Sequence, residues 1–363
     1  MNLKTYEITL TAKAPVFVGN GKSYTKKEYL IANNKVHILN MNKLYAFLFA
    51  KKIAPSFEQF MLGNEKDLFR WLKEKNLFND ALKCADYSLN LDTRDLKGLE
   101  IKSAIKDAYG NPYIPGSSLK GALRTILAAY RIGENGSLKS DIRRELENEL
   151  PSKQSRKRYL SSVVKNAEEK IFRTLNLSDT KKGDAVNDVL KGFIVGDSEP
   201  LSVKDLTLAP RIERHKDGRE KSLNLMRESI KPGTKIIFPL TIDEDICQIS
   251  EADILEAIYK FDDTYNECFL KKFEGMDILR ADKPQIFLGG GSGFVSKTLV
   301  YPIMGQKSGV DATVKIFENT GVSFKHKHSK DKGLGVSPHI VKCTRYNGKT
   351  LQMGLCEFSI ILK

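Results

Sequence analysis

One stretch limits what this chain can fold into more than any other: Asn111-Pro-Tyr-Ile-Pro-Gly-Ser-Ser-Leu-Lys-Gly-Ala-Leu-Arg-Thr125. Pro112 and Pro115 hold the backbone before them extended, and Gly116 allows a turn that a Cβ would obstruct. Ser117 or Ser118 is placed to cap a helix by accepting a bond from an early N–H. Leu119, Ala122, Leu123, Ile126, Leu127 and Tyr130 then recur at helical spacing and predict one buried face. At about 100° per residue, Lys120, Arg124 and Arg131 fall in a narrow arc beside that face, and Gly121 leaves the backbone uncovered next to them. Strand end, tight turn and helix start, with small residues and flanking cations, describe a phosphate cradle. A capped core helix with solvated basic residues fits the same letters. Nucleotide hydrolysis does not: Gly116 and Gly121 have the Walker A spacing, but Ala122 and Leu123 stand where Lys and Ser/Thr are required.

A second landmark is Phe287-Leu-Gly-Gly-Gly-Ser-Gly-Phe-Val-Ser-Lys-Thr298. Four glycines in five positions suit neither a strand nor a helix interior. They let backbone N–H groups come close to a phosphate or a neighbouring subunit, although a flexible hairpin tip would read the same way. Phe294 stands where the dinucleotide fingerprint and the Gly-x-Ser-x-Gly elbow would each need their last glycine.

Ile114-Pro-Gly-Ser-Ser-Leu-Lys-Gly-Ala-Leu-Arg124 closely resembles the signature of the repeat-associated mysterious proteins (RAMPs) of CRISPR systems. That resemblance implies RNA-binding modules of ferredoxin-like, RRM-like fold. It extends to the Pro15-to-Gly19 segment after the first strand with Lys22 beyond it, to Asp197-Ser198, to Glu228-x-x-x-Pro-Gly-Thr234 and to the Gly-rich loop. With helical insertions and this length, the chain most resembles the family of fifth subunits of type III-A (Csm) effector complexes. The resemblance implies a non-catalytic subunit that binds the 3′ side of the CRISPR RNA, caps the filament of backbone RAMP subunits and supports guide maturation. No cofactor is expected. CRISPR RNA, the backbone RAMP subunit and a host trimming nuclease are the implied partners.

The remaining sequence suits that picture. A net charge of +14 over 363 residues favours a polyanionic partner. Five scattered cysteines without a Cys-x-x-Cys pair argue against a disulfide framework or zinc ribbon. The residues Met1 to Glu7 lack an apolar signal core and no apolar run reaches membrane-spanning length, so a cytoplasmic address is expected.

Alternation at Tyr6, Ile8, Leu10 and Ala12 predicts a first strand. Asn33-Asn34 predicts a hairpin, and Asn40 a helix cap. Residues 56–84 read as short helices around Trp71, and residues 134–192 as a second polar helical stretch whose densest basic cluster is Lys153, Arg156, Lys157 and Arg158. Asp217-Gly218 predicts a hairpin whose arms carry Arg211, Arg214, His215, Lys216, Arg219 and Lys221; by resemblance it is a protruding, RNA-contacting thumb. Ser250 and Asp253 form a capping box. The segment Phe324 to Gly333 reads as a mobile basic tail, and its His326-x-His328 pair lacks a third metal ligand at a recognisable spacing.

The expected fold is α+β: tandem ferredoxin-like RAMP modules over 1–205 and 231–363, with the hairpin 206–230 between them. Predicted RNA-binding residues are Lys22; Gly116, Ser117, Ser118, Lys120, Gly121 and Arg124; Arg211, Arg214, His215, Lys216 and Arg219; and Gly289, Gly290, Gly291, Ser292, Gly293 and Lys297. No metal site and no catalytic residue are expected. The alternative is a RAMP endoribonuclease that processes precursor guide RNA, for which His215 is the one candidate general base.

Overall fold

The alternating start of the chain forms β1 (Leu3–Ala12), with Tyr6, Ile8, Leu10 and Ala12 buried. In the computed structural model, the described residues are all but 1, 66, 92–99, 153, 156–157, 277–282 and 323–325. Lys153, Arg156 and Lys157 of the predicted basic cluster, and Phe324 and Lys325 of the basic segment, lie outside them.

β1 is the centre of a five-stranded antiparallel sheet. It pairs on one side with β10 (Lys235–Asp243), which pairs with β7 (Phe193–Val195), and on the other with β14 (Leu355–Leu362), which pairs with β11 (Gln285–Phe287). Between β1 and β7 the chain forms α5 (Gly116–Glu134), and between β10 and β11 it forms α8 (Glu251–Cys268). The two helices pack together and bury Leu119, Leu123, Ile126, Ile254 and Ile258 in one cluster with Ile8, Leu10 and Phe238. Ser250 caps α8 through the predicted box with Asp253.

This sheet combines β1 with strands from beyond residue 231. The boundaries at 205 and 231 therefore do not separate two self-contained sheets. The physical reason is register: β1 pairs with β10 from Leu3 to Thr11 and with β14 from Tyr6 to Ala12, which closes the first strand between two late ones.

A second sheet has six strands in the order β13 (Lys349–Gln352), β12 (Ile340–Tyr346), β8 (Leu206–His215), β9 (Glu220–Ile230), β6 (Glu100–Ala104), β2 (Gly19–Tyr24). The predicted hairpin is its central pair. Gly218 takes the expected left-handed conformation (φ +78°) in the turn. β12 pairs along β8 from Ile212 to His215 and β6 runs parallel to Leu225–Arg227 of β9, so the hairpin is built into the sheet.

Residues 29–91 build a small satellite. β3 (Tyr29–Ala32), β4 (Lys35–Leu39) and β5 (Ala85–Asn90) form a sheet, and α1 (Met41–Ala50), α2 (Ala54–Leu62), α3 (Leu68–Glu74) and α4 (Phe78–Leu82) supply helices. Asn33 and Asn34 both adopt positive φ in the predicted turn, Asn40 caps α1, and Trp71 is buried against Phe57 and Phe60. The second insertion provides α6 (Gly136–Glu149) and α7 (Ser161–Ile171). α9 (Val300–Asn319), which was not anticipated, follows the Gly-rich loop. The segment read as a mobile tail folds instead: His328 and Asp331 are buried, and a short helix runs from Asp331 to Leu334. No helix among the described residues is long and apolar enough to cross a membrane.

Candidate nucleic-acid interface

The motif at residue 116 opens α5, but neither serine caps it. Pro115 occupies the cap position, and the Gly116 N–H donates to Asp197 Oδ1 at 2.8 Å. The cap comes from the end of β7. There Ser198 Oγ accepts from the Ile114 N–H (2.9 Å) and the Ser198 N–H donates to the Ile114 carbonyl (2.9 Å). A Cβ on Gly116 would lie 2.3 Å from the Val195 carbonyl oxygen and 2.4 Å from that of Gly196. The Gly-Ser and Asp-Ser motifs are therefore one packed unit. A carboxylate of the chain itself already sits at the positive end of the helix.

The cation arc exists, and it is engaged with protein. Lys120 Nζ donates to the Leu190 carbonyl (2.8 Å), and burial pushes its pKa down. Arg124 pairs with Asp188 (2.8 Å) and Glu168 (3.4 Å) above the Phe172 ring, and Arg131 reaches the Ile171 carbonyl (2.8 Å) over the same ring. Lys120 and Arg124, expected to face phosphate, instead fasten α5 to α7 and the turn at 188–190. Their partners lie in the second insertion, far along the sequence.

The structure brings the separate landmarks together in one cleft of about 450 Å³. Its walls are Val18 and Gly19, the α5 residues Ser117, Ser118, Gly121 and Thr125, and Gly289, Gly290 and Lys297 of the Gly-rich loop. Gly121 is exposed with nothing within 4 Å of its Cβ direction, so the helix backbone forms an open floor. The loop's close approach is to its own chain. Gly289 (φ +80°) would place a Cβ 2.2 Å from the Phe17 carbonyl oxygen, and the Gly290 N–H donates to that oxygen at 2.6 Å. Ser292 is buried, with its Oγ bonded to the Gly289 carbonyl at 3.2 Å. Lys297 turns its ammonium onto the same carbonyl, where burial lowers its pKa. Lys22 is exposed on β2 at the edge of the six-stranded sheet.

On its other side the Gly-rich loop meets a knot of positive charge. Arg211 Nη2 (2.9 Å) and Lys342 Nζ (2.7 Å) both bond Glu213 Oε1. Burial opposes ionisation of Glu213, but the bonds from Lys342 and Arg211 overcome it and hold its carboxyl below the usual range. Arg227 lies over the Phe17 ring (5.6 Å), 3.4 Å from where a Gly291 Cβ would be, while Lys342 Cγ is 3.9 Å from the corresponding position at Gly293. Burial and then the Arg211 charge push the Arg227 pKa down. Two cations thus share one carboxylate beside the loop, and Arg227 stands next to them with no acidic partner among the described residues. Arg227 and Lys342 escaped the sequence reading because a lone cation inside a strand carries no local signal; only strand pairing assembles the group.

The outer hairpin residues are largely satisfied. Arg214 pairs with Glu220 (3.3 Å) and the Glu274 carbonyl (2.8 Å), Lys216 reaches the Leu334 carbonyl (2.8 Å), and exposed Arg219 pairs with Asp217 (2.6 Å). Lys216 and Arg219 line a cleft of about 820 Å³ with Lys327 and Lys330. His215 is half-buried there beside His339 (ring centroids 5.9 Å apart), and burial followed by that neighbour lowers its pKa. No histidine lines the cleft between α5 and the Gly-rich loop among the described residues.

The model of the RAMP superfamily matches residues 9–294. A Streptococcus thermophilus protein, the CRISPR system Cms protein Csm5, is 30% identical over 308 residues, covering 82% of this chain and 80% of its own length. The Csm5 of Mycobacterium tuberculosis is 28% identical over 386 residues and covers 99% of this chain and 98% of itself. The fold is shared with a chain of the cryo-EM structure of a Csm–crRNA–target RNA ternary complex of a type III-A CRISPR-Cas system (TM-score 0.62, 18% identity, 99% of this chain and 100% of that one). The crystal structure of T. onnurineus Csm5 matches with TM-score 0.60 at 18% identity, covering 96% of this chain and 99% of that one. A superfamily match over most of the chain and near-full-length relatives on the same fold place this chain in the RAMP superfamily, in the family of the Csm5 proteins.

Proposed function

We propose that this chain is a non-catalytic, guide-RNA-binding subunit of a type III-A effector complex. In this reading it caps a filament of backbone RAMP subunits at the 3′ side of the CRISPR RNA and supports maturation of the guide, with a trimming nuclease acting from outside. The winding β1–α5–β7–β10–α8–β14, with α5 and α8 on one sheet, is read as a ferredoxin-like core drawn from both ends of the chain. The RNA backbone runs from the Gly121 floor across the Gly-rich loop to Arg211, Arg227 and Lys342.

The observation that supports this most is the excess of charge at that last group. Arg211 and Lys342 share Glu213, Arg227 adds a third positive charge beside them, and their mutual repulsion is a cost that an incoming phosphate removes. Contacts of this kind read charge and spacing, so guide sequence has little influence. His215 is set among cations and a second histidine rather than poised across the cleft from the Gly-rich loop, and this favours contact over cleavage.

The test is a salt titration of single-stranded guide RNA binding by Arg211→Gln/Arg227→Gln. Two lost phosphate contacts should lower the log–log slope by about 1.4. An unchanged slope with unchanged affinity rejects this placement of the RNA.

A further inference from the structure

The chain has five histidines, and four of them meet. His328 and His339 rings lie 5.1 Å apart, His326 stacks 5.9 Å from His328, and His215 stacks 5.9 Å from His339. At their centre is Asp331, fully buried. Its Oδ1 is 2.6 Å from His339 Nδ1, and its Oδ2 is 2.9 Å from His328 Nδ1. One donor atom each from His328, Asp331 and His339 falls within 4.8 Å of the others. Sequence spacing could not supply the third ligand to the His326-x-His328 pair. The fold does, from one turn further on and from the residue just before β12.

We propose that His328, Asp331 and His339 bind one divalent transition-metal ion of the zinc class, with His326 within reach of the fourth position. Donor chemistry selects the class. Two imidazole nitrogens and one carboxylate oxygen suit zinc and its neighbours, whereas calcium and magnesium take oxygen sets. Size is compatible: ligand atoms on a tetrahedral zinc stand about 3.3 Å apart, between the observed contacts of 2.6 and 2.9 Å and the 4.8 Å span of the three donors, so small shifts of the three side chains seat the ion. The support that ligating carboxylates usually have is already present, since buried Ser337 Oγ donates to Asp331 Oδ2 at 2.7 Å. Burial of His328 and Asp331 shields the site, while His339 and His326 open onto the cleft of about 820 Å³ and provide the entry path. Bound there, the ion clamps the segment carrying Lys327 and Lys330 to His339, at the entry to β12. That segment is a wall of the basic cleft.

The test uses the full chain without a polyhistidine tag. Metal content is measured by plasma mass spectrometry, and the thermal midpoint before and after dialysis against a chelator and after adding back zinc or magnesium. The proposal expects about one zinc per chain, a midpoint that falls on chelation, and recovery with zinc but not magnesium. His339→Asn keeps an N–H for Asp331 but is a poor ligand. It should lose the zinc, and its midpoint should ignore the chelator. Cobalt added to the stripped wild type should give visible absorption bands that His339→Asn lacks. Wild type with under about a tenth of an equivalent of metal, and a midpoint indifferent to zinc and chelator, would reduce the cluster to hydrogen bonds. Zinc retained in full by His339→Asn would place the metal elsewhere and overturn the proposal.

Discussion

Replacing Glu228 by Ala should destabilise this protein more than almost any other single truncation. Its side chain has no exposure and accepts from four groups: Tyr87 Oη (2.5 Å), Ser103 Oγ (3.3 Å), the Ala104 N–H (3.0 Å) and Lys106 Nζ (2.7 Å). Those donors come from β5, β6 and the loop after β6, so one carboxylate ties the satellite sheet to the six-stranded one. Lys106 is only 13% exposed and lies over the Tyr87 and Tyr24 rings (5.1 and 5.8 Å). Removing the carboxylate strands a buried ammonium, a backbone N–H and a phenol together. Breaking a buried pair from one side costs about 3–5 kcal/mol. Glu228→Gln keeps the shape and one acceptor oxygen but loses the charge and turns an NH2 donor into the site, which should cost about 1.5–3 kcal/mol. A cycle with Lys106→Met isolates the pair, and the double variant Lys106→Met/Glu228→Leu should recover about 1–4 kcal/mol over Glu228→Ala. Urea unfolding at pH 7.5, read by circular dichroism, measures each value. A loss under about 1 kcal/mol for Glu228→Ala would refute the reasoning, because an ammonium as buried as that of Lys106 cannot be so cheaply orphaned.

Two further outcomes follow from the same structure. Gly289→Ala combines a left-handed backbone with a Cβ 2.2 Å from the Phe17 carbonyl, so it should cost about 2–5 kcal/mol in urea unfolding, whereas Gly121→Ala, with open space around it, should gain about 0.5–1 kcal/mol. Burial, then the Asp263 charge, raises the Asp262 carboxyl from 3.8 to about 6; the folded state keeps a proton that the unfolded chain has released, so stability falls as pH rises between those values, and Asp262→Asn should gain about 1–2 kcal/mol at pH 7.5 and nothing at pH 4 in paired denaturant melts.

Features that depend on near neighbours were legible in the letters. The apolar spacing of α5, the Asn33-Asn34 turn, the Asn40 cap and the Ser250–Asp253 box all form as read. Contacts made across the fold were not. Ser117 is a good cap by type, yet Asp197 arrives from β7 and takes its place. The arc of Lys120, Arg124 and Arg131 was correctly placed on the helix. Its meaning changed because Asp188, Glu168 and two carbonyls from the second insertion meet it. α9 was missed for a different reason: Ile303, Val310 and Phe317 bury one side of it and Tyr301, Ala312 and Ile316 another, which erases a one-sided pattern, and Pro302 and the kink at Gly305 read as breakers. The Asn347-Gly348 turn between β12 and β13 carries a strong hairpin signal that went unread.

The central claim is that RNA lies over the cleft joining α5 to the Gly-rich loop, and Gly121 gives the most direct access to it. The position is exposed, lines the cleft and has room for a side chain, so Gly121→Gln and Gly121→Glu should both fold. They differ only in charge. Fluorescence anisotropy of single-stranded guide RNA across a range of salt compares them. The account predicts that Gly121→Glu binds about 5–30-fold more weakly than Gly121→Gln at low salt, with the gap closing as salt screens the added charge. Equal affinities for the two variants at every salt concentration would contradict it.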